Sequence, residues 1–122
     1  MSSRCEIVCA IDVGTNTVNS LVAEITEAGL VVLSDEERFA RLGQGVDAAG
    51  RLAPEAMDRV VDRLAAAMET AVRLGAGRIV IGATSASRDA SNVTELQDRV
   101  RRELGLEYRV ISGEEEARLS FL

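Results

Sequence analysis

Four stretches of this 122-residue chain hold residue types able to do chemistry on an anion. The first is Asp12-Val13-Gly14-Thr15-Asn16-Thr17, at the end of an apolar run. Glycine reaches φ > 0 without a Cβ penalty, so Gly14 is expected to let successive N–H groups converge as an anion nest. Thr15, Asn16 and Thr17 add side-chain donors. A carboxylate repels phosphate, so Asp12 makes sense there as a holder of Mg²⁺ or of its water shell. A plain hairpin turn favours the same residues.

The second stretch is Ala83-Thr84-Ser85-Ala86-Ser87-Arg88-Asp89-Ala90. It follows a short apolar run, at the carboxyl end of a strand, where open α/β sheets place ligands. Arg88 offers a planar, permanently charged phosphate clamp, and Thr84 and Ser85 offer hydroxyls. The competing reading is a loop–helix junction with Arg88 paired to Asp89. The third stretch is Ser112-Gly113-Glu114-Glu115-Glu116-Ala117-Arg118. Acidic residues at a helix start complement its dipole. Successive helical positions are about 100° apart, so only one glutamate need face a crevice. A carboxylate there would orient and deprotonate a water. The fourth, Arg41-Leu42-Gly43-Gln44-Gly45-Val46-Asp47, reads as a lid, a substrate contact or simply a sharp glycine loop.

Composition narrows the chemistry. The chain has no His, and its 14 cationic side chains are all Arg. That removes a His base, a Ser-His triad, His metal sites, Schiff-base chemistry and a P-loop lysine. Acid–base work falls to carboxylates, and anion binding to Arg or backbone N–H groups. The net charge of −6 argues against a general grip on nucleic acid. No apolar run approaches the roughly 20 residues of a membrane span. Glu6 before a short apolar run makes a poor signal peptide, so a cytoplasmic location is expected. Cys5 and Cys9 lie four apart in an expected strand, about 13 Å from each other, which is too far for a disulfide. They read as buried thiols.

The elements that must position these stretches follow from periodicity. Glu6–Asp12 reads as a central strand and Val18–Glu24 as its partner. After a turn at Thr26–Gly29, Leu30–Phe39 completes an antiparallel meander. The glycine-rich segment 41–51 is a loop. Leu52-Ala53-Pro54-Glu55 opens a helix whose apolar stripe runs from Met57 to Leu74, with Gly75 and Gly77 ending it. Arg78–Gly82 is a strand. Ser91 is expected to cap a second helix that ends at Gly105. Tyr108–Ile111 is the last strand, and Ser112-Gly113 opens a last helix. The order β-β-β-α-β-α-β-α gives an α/β domain over residues 1–122: a mixed five-stranded sheet with helices on its faces. That is the ribonuclease-H-like layer shared by actin-like and sugar-kinase folds. The apolar end, Leu119-Ser120-Phe121-Leu122, lacks a stop signal, so a longer natural polypeptide is expected.

Taken in order, the four stretches resemble the motifs of the Ppx/GppA phosphatase family. Residues 10–17 look like its first phosphate loop and residues 41–47 like its loop before the first helix. Residues 83–90 with Asn92 resemble its arginine segment, and residues 111–119 its most specific motif. The resemblance implies hydrolysis of the terminal phosphoanhydride of inorganic polyphosphate, of guanosine pentaphosphate, or of both, with Mg²⁺ or a similar divalent cation and as a homodimer. By motif position it implies Glu116 as the base for the attacking water and Arg88 as the phosphate clamp. Asp12, Gly14, Thr15, Asn16 and Thr17 then form half of the phosphate and metal site. Asn19 and Ser20 stand where the family usually has a basic or His residue. The family's second phosphate loop, an Asp-x-Gly-Gly-Gly-Ser type of turn, has no counterpart in these 122 residues, so half a site is expected. Two other readings stay open. One is a non-catalytic module that binds a phosphate chain or nucleotide; the other is an actin-like ATPase or kinase domain.

Overall fold

The computed structural model describes residues 6–115. Three strands open the chain: β1 (Glu6–Val13), β2 (Thr17–Thr26) and β3 (Gly29–Phe39). Helix α1 (Pro54–Arg73) leads to β4 (Arg78–Ala83), a four-residue helix α2 (Ser85–Arg88), helix α3 (Val93–Leu104) and β5 (Tyr108–Val110). The sheet order is β3-β2-β1-β4-β5. β1, β2 and β3 pair antiparallel, while β4 and β5 continue parallel to β1. The expected mixed five-stranded α/β sheet is therefore present, with β1 at its centre.

Register decides where loops leave the sheet. Val13 is the partner of Ala83, and Ala83 of Val110. One further rung binds each loop to the sheet: Thr84 N–H donates to the Val13 carbonyl at 3.0 Å and Ile111 N–H to the Ala83 carbonyl at 2.9 Å. The first, second and third candidate stretches thus depart from one rim, at the carboxyl ends of three parallel strands.

α1 starts on Pro54 with Glu55 in its first turn and Arg73 in its last. Both charges suit the helix dipole. Its buried stripe of Ala56, Met57, Val60, Val61, Leu64, Ala67 and Ala71 packs on β1 and β2. Leu96 and Val100 of α3 join the same core beside Cys9, Ile11, Val13, Ile81 and Tyr108. Burial pushes the Cys9 thiol up, against a smaller opposing pull from Arg38. Cys5 lies outside the described residues. α3 closes on Gly105, which takes the left-handed conformation (φ 68°) that favours glycine.

Three local expectations change. Both long helices lie on one face of the sheet; on the other, Ala10, Asp12, Leu21, Ile25 and Val80 are exposed among the described residues. The apolar run of β1 therefore alternates between buried and open positions. Asn92, and not Ser91, sits at the start of α3. Its amide spans to Leu52, accepting from the N–H at 2.8 Å and donating to the carbonyl at 3.2 Å, while the Ser91 hydroxyl donates to the Ala49 carbonyl. Helix α2 is an addition, because four residues are too few to show periodicity. Among the described residues no helix is long and apolar enough to cross a membrane.

β3 is the edge strand of this sheet. Leu30, Val31, Val32 and Leu33 are all exposed in its first half, and Asp35, Glu36 and Glu37 follow in its second. A register irregularity at Val22/Ala23 lies opposite the middle of β3.

Candidate functional site

The first turn is built differently from the glycine argument. Gly14 is not among the glycines with positive φ. Its N–H is consumed by the Thr17 carbonyl at 2.9 Å, which closes the turn. An anion nest at this turn would rest on Thr15 and Asn16, whose N–H groups donate to no oxygen among the described residues. Both residues are exposed. The Thr17 hydroxyl accepts from the Asn19 amide at 3.3 Å.

The second stretch meets this turn. The Thr15 and Ser85 hydroxyls lie 2.9 Å apart across 70 residues of sequence. Thr84 does not share that position. It is only 9% exposed, and its hydroxyl donates to the Val13 carbonyl at 3.4 Å, so it is engaged with the rim of the sheet. Beneath α2 the Ser87 and Tyr108 hydroxyls are fully buried and 2.7 Å apart. Burial pushes the Tyr108 phenol well above its usual range, and the Ser87 hydrogen bond only partly opposes this.

Arg88 reaches the third stretch. Its Nη1 donates to the Ile111 carbonyl at 3.2 Å, and its guanidinium carbon is 3.9 Å from where a Cβ on Gly113 would stand. The pair with Asp89 that the competing reading required is not formed. Ser112 and Glu115 form a reciprocal cap: the Ser112 hydroxyl accepts from Glu115 N–H at 3.0 Å, and the Glu115 carboxylate accepts from Ser112 N–H at 3.4 Å. Arg109 pairs with the same carboxylate at 3.0 Å. Glu115 is thereby assigned to structure. Glu116, the residue the resemblance makes the base, lies outside the described residues.

The fourth stretch is clamped onto the first. Ala40 and Arg41 N–H groups both donate to the Asn16 carbonyl at 2.9 Å, and Gly43 N–H donates to the Thr15 carbonyl at 3.0 Å. A Cβ on Gly43 would come within 2.7 Å of Thr15 Cγ2, so only glycine fits without a shift. From α1, the Arg59 guanidinium holds the Ala40 and Arg41 carbonyls and the Gln44 side chain, and Arg63 holds the Phe39 carbonyl. The sequence reading missed both arginines. The available signal was their i, i+4 spacing on an amphipathic helix that faces a long loop. Asp47 organises the far end, and the Arg51 backbone N–H holds its carboxyl below the usual range.

Two openings flank the turn. One, of about 490 Å³, is lined by Thr15, Asn16, Phe39, Arg41, Gly43 and Gln44. The other, of about 270 Å³, shares Thr15 and Gly43 and adds Ser85 and Ala86. Asp12 is exposed at the end of β1, between Asn19 of β2 and Gly82 of β4. No group of three Cys, Asp or Glu that could hold a metal ion gathers among the described residues. Asp12 suits Mg²⁺, which keeps much of its water and is commonly held by one or two carboxylates plus substrate phosphates.

The model of the Ppx/GppA phosphatase family matches residues 21–122. Exopolyphosphatase 2 of Mycobacterium tuberculosis is 43% identical over 124 residues, covering 93% of this chain and 39% of the relative. Exopolyphosphatase 1 of Mycobacterium bovis is 34% identical, covering 92% of this chain and 33% of the relative. Among solved structures, the Aquifex aeolicus member of the Ppx/GppA family superimposes with TM-score 0.90 at 30% identity, over 97% of this chain and 39% of that one. An exopolyphosphatase from Cytophaga hutchinsonii gives 0.89 at 32% identity, over 93% and 36%. The chain thus spans between 33% and 39% of the length of these relatives.

Proposed function

The chain belongs to the Ppx/GppA phosphatase family, and from that premise we propose that it forms one wall of a site hydrolysing the terminal phosphoanhydride bond of inorganic polyphosphate. The observation that carries this reading is the 2.9 Å approach of Thr15 and Ser85, which joins the two phosphate-binding stretches on one rim. Thr15 and Asn16 N–H groups and the two hydroxyls offer donors to a terminal phosphate. Arg88 neutralises its oxygens from the side of the third stretch. Water oxygen bonds to the terminal phosphorus as the bridging P–O bond breaks in line, and the electron pair leaves with the shortened chain. The water proton goes to Glu116. Asp12 would hold a Mg²⁺ ion together with phosphate oxygens, and that ion would supply further neutralisation of developing charge. Most of the rate then comes from positioning and electrostatics.

Guanosine pentaphosphate ends in the same bond and is the second substrate of this proposal. A homodimer is its expected assembly. The test is phosphate release from inorganic polyphosphate with Mg²⁺, by a polypeptide of full family length carrying this chain. Release one phosphate at a time from chain ends supports the reading. Binding without release favours a non-catalytic module. The 122-residue chain alone is expected to release none, and robust turnover by it would refute the one-wall arrangement.

A further inference from the structure

Arg41 is the one non-glycine residue with positive φ among the described residues, at 49°. Such a conformation persists in a non-glycine residue only when its surroundings over-determine it, and it clusters at ligand clamps. Here the surroundings are explicit. The Arg41 N–H donates to the Asn16 carbonyl, and the Arg41 carbonyl accepts from Gln44 N–H and from Arg59 Nη2. The side chain so presented is exposed and makes no ion pair or hydrogen bond among the described residues. It lines the 490 Å³ opening that Thr15 and Asn16 also line, so an arginine side chain and the turn with free N–H groups share one opening. Phe39, 60% exposed, lines the same opening.

We propose that Arg41 is a specificity-determining residue that grips the phosphate groups behind the terminal one, so that the opening recognises a linear phosphoanhydride chain. This rests on the reading of the Thr15 turn as the terminal-phosphate site. Of the two openings that flank this turn, the larger is the one Arg41 lines, and it offers an exit to a chain whose terminal phosphate sits at Thr15 and Asn16. A guanidinium fork matches phosphate oxygens two at a time. The chemistry is common to inorganic polyphosphate and to a nucleoside polyphosphate. Only the second brings a base, which Phe39 would stack.

The experiment is an NMR titration of the 122-residue chain with inorganic tripolyphosphate and, separately, with guanosine triphosphate. The expected result with tripolyphosphate is movement of the Thr15 and Asn16 amides together with the Arg41 side-chain Nε–H. Arg41→Asn, which tolerates the left-handed backbone, should weaken tripolyphosphate binding about tenfold with an unchanged denaturation midpoint. Arg41→Lys should restore part of the affinity. Movement of the turn amides without Arg41 Nε–H overturns the inference and leaves the turn reading intact. Movement of Arg41 with guanosine triphosphate alone also overturns it, since the contact is then to base or ribose. Movement of neither overturns both. Phe39 ring shifts confined to guanosine triphosphate support the inference and identify the base contact.

Discussion

Replacing Gly43 with Ala tests whether the fourth stretch sets the geometry of the first. The new Cβ would stand 2.7 Å from Thr15 Cγ2, about 1 Å inside an ordinary carbon–carbon contact. Gly43 is not in the left-handed region, so its backbone accepts alanine. Relief must come from Thr15, whose β-branched side chain moves in rotamer jumps. A jump carries the hydroxyl away from Ser85, 2.9 Å distant, and loses a hydrogen bond worth about 1 kcal/mol. The lost chain freedom of the unfolded state returns roughly 0.4–1 kcal/mol. Stability is therefore expected to change by less than about 1 kcal/mol, while affinity for tripolyphosphate falls about tenfold. Denaturant unfolding and titration calorimetry read the two quantities separately. Thr15→Ser lacks the clashing methyl, so the double variant should regain affinity, a coupling that a double-mutant cycle measures. Unchanged affinity in Gly43→Ala, or no recovery in the double variant, would refute the reasoning.

Tyr108→Phe leaves the buried Ser87 hydroxyl without its 2.7 Å partner and should destabilise by about 1–3 kcal/mol in chemical denaturation. The same substitution tests a pH dependence: unfolded tyrosine ionises near pH 10, whereas folded Tyr108 holds its proton higher. Its stabilisation is present below about pH 10 and is lost as pH rises beyond that, so the wild type should lose stability more steeply than Tyr108→Phe between about pH 9 and 11. Asn92→Ala removes both contacts to Leu52 and should cost about 1–3 kcal/mol, with faster amide exchange at Leu52. In a polypeptide of full family length, Glu116→Gln should abolish phosphate release and leave substrate binding nearly intact; persistent release would remove Glu116 as the base.

Much of the architecture was readable because its signals are local. The Thr26–Gly29 turn between two apolar runs marks the β2–β3 hairpin, and Pro54 with Gly75 brackets α1. The loops were less readable because their conformations are set by partners distant in sequence. Asn92 acts on Leu52 across 40 residues, and Arg59 acts on Ala40 across 19. Residue preference alone cannot reveal such pairs. Gly14 shows the reverse error. Its type suggested a left-handed turn, yet the fold spends its N–H on Thr17 and leaves the donors to Thr15 and Asn16. The candidate site was legible as a set of motifs on one rim, while the left-handed backbone of Arg41 and the arginine clamp beneath it emerged only from the geometry.

The edge strand carries a consequence for handling the protein in solution. An open strand with Leu30, Val31, Val32 and Leu33 exposed is a template for pairing between molecules. Asp35, Glu36 and Glu37 on the same strand, with the overall charge of −6, oppose that pairing by repulsion. Both defences are electrostatic. Adding salt that shortens the screening length weakens them while leaving the apolar half unchanged. Colloidal stability should therefore fail at high ionic strength before the fold itself does, and it should fail from this edge.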